Sequence, residues 1–490
     1  MCGARDSGLG TRSEAPRSIG IGATPIIREL LRARDLLPLA AAYPQRYPGL
    51  LESAAQGKHA RWDILFAFPQ DALMLHPDGR VRDAQGVDRG ERFLETLDRA
   101  LESSHRQAAI HVAAPDAIQG VASPQQVPPF TGGWLLYLGY ELAGEIESGL
   151  HLPRESEAEM PIALALRCPA AILVDRAQAR TLLVAEDARY ANLLELLQRD
   201  LETLDEMAAL DSPPHPLEII EDDPAGFLSG VARIHEYLRA GHTFQVNLSR
   251  GWRARYAEPA SVAAIYKSLR CANPAPFAGL LQYRDWAIAS SSPERLLEIR
   301  GGVAQTRPIA GTRPRVHGDD EAARIRELLE HTKERAEHVM LIDLERNDLG
   351  RICVPGTIAV DEMMIVESYA HVHHIVSNVR GRVRAGVTPG QAIAAVFPGG
   401  TITGCPKVRC MEIIAELEGV PRGPYTGALG YLCNNGDLDL NILIRTLHLR
   451  GNEITFRAGA GIVADSDAQH ELEETRAKAR GMLRALSDDT

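Results

Sequence analysis

FAGLLQYRDWAIASSSPERLLEIRGG, residues 277–302, decides the fold class. Its apolar runs are separated only by turn chemistry, first Tyr-Arg-Asp and then Ser-Pro-Glu, so strand follows strand with no helix between. Outward from it, TFQVNLSRGWRARY (243–256), HHIVSNVRGRV (373–383), GALGYLC (427–433), LNILIRTLHLR (440–450) and NEITFRAGAGIVA (452–464) also read as strands. Amphipathic helices are expected over 228–240, 260–270 and 321–347, from Pro406 onward, and over 467–486. Strands in consecutive runs point to antiparallel or mixed sheets rather than a Rossmann layout.

The first part of the chain repeats this character. WDILFAFP (62–69), GGWLLYLGYEL (132–142), AAILVD (170–175) and TLLVAE (181–186) read as strands, with helices near 87–103 and 187–207. Proline and acidic residues cluster in DEMAALDSPPHPLEIIEDDPAGF (205–227). A boundary therefore falls there. The expected organisation is a disordered extension over 1–25, an N-terminal region over 26–204, a linker over 205–226 and a catalytic region over 227–487.

The 490 residues carry 65 acidic and 53 basic groups, a net charge of −12, which argues against a general binder of nucleic acid or anionic membrane. Seven cysteines (Cys2, Cys168, Cys271, Cys353, Cys405, Cys410, Cys433) form no CxxC pair, so reduced thiols are expected and zinc is not. No apolar run reaches the 18–20 residues or so that span a bilayer. Residues 1–25 lack the apolar stretch of a secretory signal, and the cytoplasm is the expected location.

Two Glu-x-x-Glu spacings carry the chemistry. Glu334 and Glu337 lie in HTKERAEHVMLIDLERND (331–348), Glu471 and Glu474 in QHELEETRAKARGML (469–483). On a helix, residues three apart share one face. Four carboxylates on two faces suit a hard divalent ion such as Mg²⁺, which leaves positions for water and an anionic ligand. For either pair alone, a solvated charged face is the commoner case.

Other candidates surround them. Glu294 follows the WAIASSS strand, where burial would raise its pKa and make it a general acid; a turn residue paired with Arg295 is the alternative. RPIAGTRPR (307–315) joins a Gly-containing loop to three arginines. FPGGTITGCPKVRCMEIIAEL (397–417) runs a tight Gly loop into a helix, an anion-binding arrangement, without Walker spacing. Arg445 sits among alternating apolar residues and needs an acidic partner, from protein or ligand. Gly459 and Gly461 permit close backbone approach at a strand end. His374 is either a working imidazole or a satisfied core histidine. No GxSxG, HExxH or glutaminase pattern occurs, so ammonia from glutamine would have to come from another polypeptide.

In their order along one chain, SPERLLEI, RPIAGTRPR, KERAEHVMLIDLERNDLGR, HVHHIVS, FPGGTITGCPKVRCMEII, ILIRTL, GAGIVADS and ELEETRAKA resemble the chorismate-binding enzymes. The resemblance is near-continuous over 227–486 and weaker over 43–204. It implies an α+β fold, with two large antiparallel sheets packed as a sandwich and helices outside, both regions giving strands. It implies Mg²⁺ held by Glu337 and Glu474 with support from Glu334 and Glu471, and Glu294 as the acid that protonates the departing 4-hydroxyl of chorismate. It implies substrate binding by Thr401, Tyr425, Arg445, Lys478, Thr312 and the backbone at Gly459, Ala460 and Gly461, with His374 near the ring. Gln245 stands where water-using members carry a Lys base, and glutamine cannot serve as one, so an ammonia-using member is implied.

NPAPF (273–277), QVNL and FPGGTITG look like the branch making 4-amino-4-deoxychorismate for 4-aminobenzoate and folate. That branch implies a separate glutaminase subunit and a downstream lyase. Its PIKGT lysine is replaced here by Ala310. PIAGT, LLES and GAGIV are shared with the anthranilate-forming branch, the alternative, and Ser53 in LLES matches a tryptophan-pocket position of relatives.

Overall fold

The computed structural model describes residues 24–55, 61–111, 128–154, 160–314, 326, 332–368 and 372–487. The expected extension over 1–25 lies almost entirely outside the described residues, as does the first part of the helix expected from 321. The segment 277–302 forms three successive strands, Phe277–Tyr283, Trp286–Ser292 and Arg295–Arg300. The first two pair antiparallel across the Arg284–Asp285 turn, Tyr283 opposite Trp286. Between Ser292 and Arg295 the chain leaves one sheet and enters the other.

Among the described residues each sheet has twelve strands, and every strand pairing is antiparallel. Both sheets are completed by early and late parts of the chain. In the first, Gly49–Glu52 pairs with Phe277–Tyr283. In the second, Gly133–Leu138 pairs with Ala428–Cys433. The stretch 205–226 is not bare linker: Glu218–Glu221 adds an edge strand against Gln245–Arg255. Asp223 then caps the Pro224–Arg239 helix through the Ala225 N–H.

The period-two alternation of strands explains the layers. Along Trp286–Ser292, Trp286 and Ile288 enter the core between the sheets with Leu281, Phe66, Leu135 and Leu429. Ala287 and Ala289 face the opposite way, into a core covered by helices Leu37–Ala42, Val262–Ala272 and Ala468–Ser487. The second sheet's outer face, with Leu297, Leu440 and Leu136, packs under Phe93–His111, Thr332–Gly350 and Pro389–Val396. Edge-to-face Phe66–Phe130 packing, with centroids 4.9 Å apart, closes the inter-sheet layer. Among the described residues no helix is long and apolar enough to cross a membrane.

Candidate active site

Two crossings between the sheets build the site. One is Pro293–Glu294. The other joins Leu438–Ile442 of the second sheet to Thr446–Arg450 of the first, and carries Arg445. The crossings brace each other: Ser292 Oγ donates to the Ile442 carbonyl at 2.5 Å, Ile442 N–H to the Glu294 carbonyl at 3.0 Å, and Ser291 N–H to the Arg445 carbonyl at 3.1 Å. Arg445 is therefore not inside a continuous strand, as its apolar neighbours suggest. It turns the chain at φ +52°, a left-handed conformation uncommon for a side chain of its size.

Glu294 points inward and is 5% exposed. It does not pair with Arg295, whose guanidinium instead binds Asp439 in a fork of two 2.9 Å bonds. Burial pushes the Glu294 carboxyl up to about 7, against the opposing pull of the nearby Thr401 hydroxyl, the Ile309 N–H, Lys478 and Arg445. The same burial lowers the Arg445 pKa, with Glu294 supplying favourable charge. A half-protonated carboxyl beside a desolvated guanidinium can donate a proton to a leaving group while the cation holds an anion.

The PIAGT segment lies in the Ile309–Pro314 strand beside Val372–Arg382. Ile309 N–H faces Glu294. Gly311, at φ +65°, bulges the strand and gives its backbone to His374. Ala310, buried between them, pairs with Ile375 and brings no nucleophile. Burial, reinforced by Arg445, pushes the His374 imidazole down to about 3, so it is neutral at ordinary pH. Thr312 is opposite His374 in register; its side chain lies outside the described residues.

A third wall is the end of the Glu453–Ile462 strand. A Cβ at Gly459 would sit 2.7 Å from Tyr425 Oη and 2.8 Å from Asn247 Oδ1, and one at Gly461 would overlap Gln245 Nε2. The glycines expected to admit a ligand to the backbone thus also admit three of the chain's own side chains. Ala460 faces away, into a helix-covered core. Burial raises Tyr425 to about 12, so it remains a neutral phenol.

The acidic helices reach this wall. Glu337, on Thr332–Gly350, accepts from Gln245 Nε2 at 3.1 Å. Glu474, on Ala468–Ser487, pairs with Lys478 Nζ at 2.7 Å, and the same ammonium donates to the Gly459 carbonyl at 2.9 Å. Glu474 is thus tied through Lys478 to the Gly459 carbonyl, and Glu337 through Gln245, whose Nε2 lies over Gly461. His470, Glu471 and Glu474 bring ligand atoms within 4.8 Å of one another. The two carboxylates of this group fit a hard divalent ion; Glu337 is not among its three residues. The side chain of Glu334 lies outside the described residues.

Sequence reasoning missed three nearby groups. His470 was legible as i, i+4 to Glu474. Glu345, 6% exposed and pushed up to about 8 by burial and Asp348, lies within the field of Glu294. Arg422 gave no local signal because PRGPYTG reads as a turn. Ser53 lines a cavity of about 130 Å³ with Pro276, Phe277, Arg295 and Asn441.

A family model for chorismate binding enzymes matches residues 51–484. The chain is 42% identical over 360 residues, 73% of each protein, to an anthranilate synthase component I-like protein of Synechocystis sp.. It is 41% identical over 376 residues, 74% of this chain and 78% of the other, to aminodeoxychorismate synthase component 1 of Bacillus subtilis. More of its relatives are named anthranilate synthase component 1. A solved anthranilate synthase component I from Streptococcus pneumoniae superposes with a TM-score of 0.73 at 30% identity, over 88% of this chain and 93% of that one.

Proposed function

The chain belongs to the chorismate-binding enzymes, and on that footing we propose that it aminates chorismate at C4, giving 4-amino-4-deoxychorismate for 4-aminobenzoate and folate synthesis in the cytoplasm. The observation that carries the reading is Glu294, a buried carboxyl at about 7 facing Arg445, Lys478 and Thr401. In its protonated form it gives its proton to the 4-hydroxyl as the C4–O bond breaks, and water leaves. The lone pair of ammonia forms the new C–N bond, and the nitrogen then gives up the proton that restores the acid. Arg445, Tyr425, Thr401 and Lys478 hold the substrate's carboxylates, with Thr312 and the backbone of residues 459–461. His374, neutral, lies against the ring without adding charge.

Gln245 supports ammonia over water as nucleophile: its carboxamide is engaged with Glu337 and cannot take a proton from water. Ammonia comes from a separate glutaminase subunit, and a separate lyase releases 4-aminobenzoate. Glu337, Glu474 and Glu471 would hold Mg²⁺, with Glu334 on the same helix. When bound, the ion neutralises carboxylate charge that hinders attack by a nucleophile.

NPAPF, QVNL and FPGGTITG favour C4. A second reading, anthranilate synthase component I, is favoured by Ala310 and by the names of most relatives; ammonia would add at C2 and pyruvate would leave, with Ser53 in a tryptophan pocket. Purified protein with chorismate, Mg²⁺ and an ammonium salt separates the two. The expected product is non-fluorescent and keeps its enolpyruvyl ether until a lyase is added. Fluorescent anthranilate and free pyruvate without lyase would overturn the C4 assignment.

A further inference from the structure

Arg422 lies between the Lys407–Glu418 helix and the Ala428–Cys433 strand, and its side chain is 1% exposed. All five of its guanidinium N–H groups find acceptors. Nε and Nη2 fork onto Glu418 at 3.0 and 2.6 Å, and Nη2 also donates to the Asn247 carbonyl at 2.8 Å. Nη1 donates to the Ile402 carbonyl at 3.2 Å and to Thr426 Oγ1 at 3.3 Å. The cation lies 5.0 Å from the Tyr140 ring centroid and 5.4 Å from that of Tyr425.

Apart from Glu418, each acceptor belongs to a segment that carries a candidate site residue. Asn247 is two residues from Gln245, Ile402 follows Thr401, and Thr426 follows Tyr425. The N-terminal region fixes the fork from behind. The Glu141 carboxylate accepts from Arg422 N–H at 2.7 Å and from Gly423 N–H at 3.1 Å, and Tyr140 N–H donates to the Gly423 carbonyl at 2.9 Å.

We propose that Arg422 is a positioning residue of the chorismate site, one planar fork setting the mutual spacing of Gln245, Thr401 and Tyr425, with Tyr140 and Glu141 setting where the fork sits. The inference rests on the substrate reading above. Stability alone is a poor reason to bury such a group, because a buried ion pair is often no better than an apolar replacement. A lysine keeps the charge but has three donors in no fixed plane, so it cannot span these acceptors.

The test is a double-mutant cycle of Arg422→Lys and Tyr425→Phe, read as chorismate affinity with Mg²⁺ and without ammonia. Mg²⁺ affinity and Tm are measured alongside. Each single change is expected to weaken chorismate binding by about 10-fold, and the double change little further, because the two side chains act as one unit. Mg²⁺ affinity should fall far less than chorismate affinity, since Arg422 touches none of the proposed ligands and only Gln245, hydrogen-bonded to Glu337, links it to them. Thr426→Val removes one arm of the fork at constant shape, and decides the matter if Arg422→Lys does not fold; it too should weaken chorismate and spare Mg²⁺. Wild-type protein that fails to bind chorismate sinks the substrate reading and this proposal together. Normal chorismate affinity in Arg422→Lys or Thr426→Val, or full additivity with Tyr425→Phe, overturns the proposal alone. An equal loss of Mg²⁺ affinity would overturn it as well, marking a general structural lesion.

Discussion

Replacing Glu294 by Gln should trade catalysis for stability, and the trade should depend on pH in a calculable way. The carboxyl titrates at about 7 when folded against 4.5 when free. The difference of roughly 2.5 units corresponds to about 3 kcal/mol, undiscounted because the group is buried. A group with a raised folded pKa adds stability that is fully present below the unfolded value. That contribution is lost as pH rises through the folded value. Wild-type protein therefore gives up about 3 kcal/mol between pH 4.5 and a pH well above 7 on account of this one side chain. Gln has the shape of the protonated acid, keeps an acceptor for the Ile309 N–H, and has no proton to lose. The stability of Glu294→Gln relative to wild type should thus rise by about 3 kcal/mol across that window.

Glu141 at about 7 imposes a similar slope in both proteins and cancels in the difference; Glu345, at about 8, is raised in part by Glu294, so its slope eases in the variant and adds to the gap in the same direction. With an unfolding entropy near 2.1 cal/mol/K per residue, the 490-residue chain loses about 1 °C of Tm per kcal/mol, so the gap should widen by about 3 °C. Differential scanning calorimetry of both proteins from pH 5 to 8.5, without substrate, measures it. Over the same range, wild-type kcat/KM, which reports the free enzyme, should fall as pH rises through about 7 and the acid is lost. The variant should be slower by 10²–10⁴-fold or thereabouts. Tm curves that run parallel at all pH values would refute the reasoning, because the carboxyl would then not be held protonated and could not be the acid.

The His374 ring, pushed down to about 3 by burial and by Arg445, should show no titration between pH 5 and 8 in its NMR shifts; a midpoint in that interval would mean the imidazole takes up a proton. Mg²⁺ at about 100 times its dissociation constant should stabilise the folded protein by about 2.7 kcal/mol, near 3 °C in Tm. Glu337→Gln and Glu474→Gln should each abolish that shift, and a full shift in either variant would remove that side chain from the metal site.

How much of this was legible in the sequence differs residue by residue. AAILVD reads as a strand and is the Ala170–Asp175 strand, because period, β-branching and flanking turns are all local. The turn at Glu294 was legible for the same reason. That Arg295 would choose Asp439, 144 residues away, was not, since nothing local says which carboxylate will be carried into reach. The pairing of Gly49–Glu52 with Phe277–Tyr283 is equally non-local. Arg445 was misread as strand because the apolar alternation runs on through a place where the chain changes sheets, and alternation does not record which sheet it serves. Gly459 and Gly461 were legible as a close approach, but not the partners, Tyr425 and Gln245, that require it.

The two crossings have a consequence for how an acid of this kind is used. Glu294 and Arg445 stand on crossings braced to each other by hydrogen bonds, Glu294 buried and Arg445 half-buried. Their charges oppose desolvation: Arg445 favours the ionised carboxyl, and the ionised carboxyl favours the guanidinium. An incoming carboxylate that forks onto Arg445 neutralises the charge that had favoured ionised Glu294, and adds a negative charge of its own nearby. Both changes raise the pKa of Glu294 above about 7. On the proposed reading, an anionic substrate would thereby favour the acid form of the carboxyl on arrival, when the leaving group needs the proton. Without such a ligand the pair rests in the state that costs the fold least.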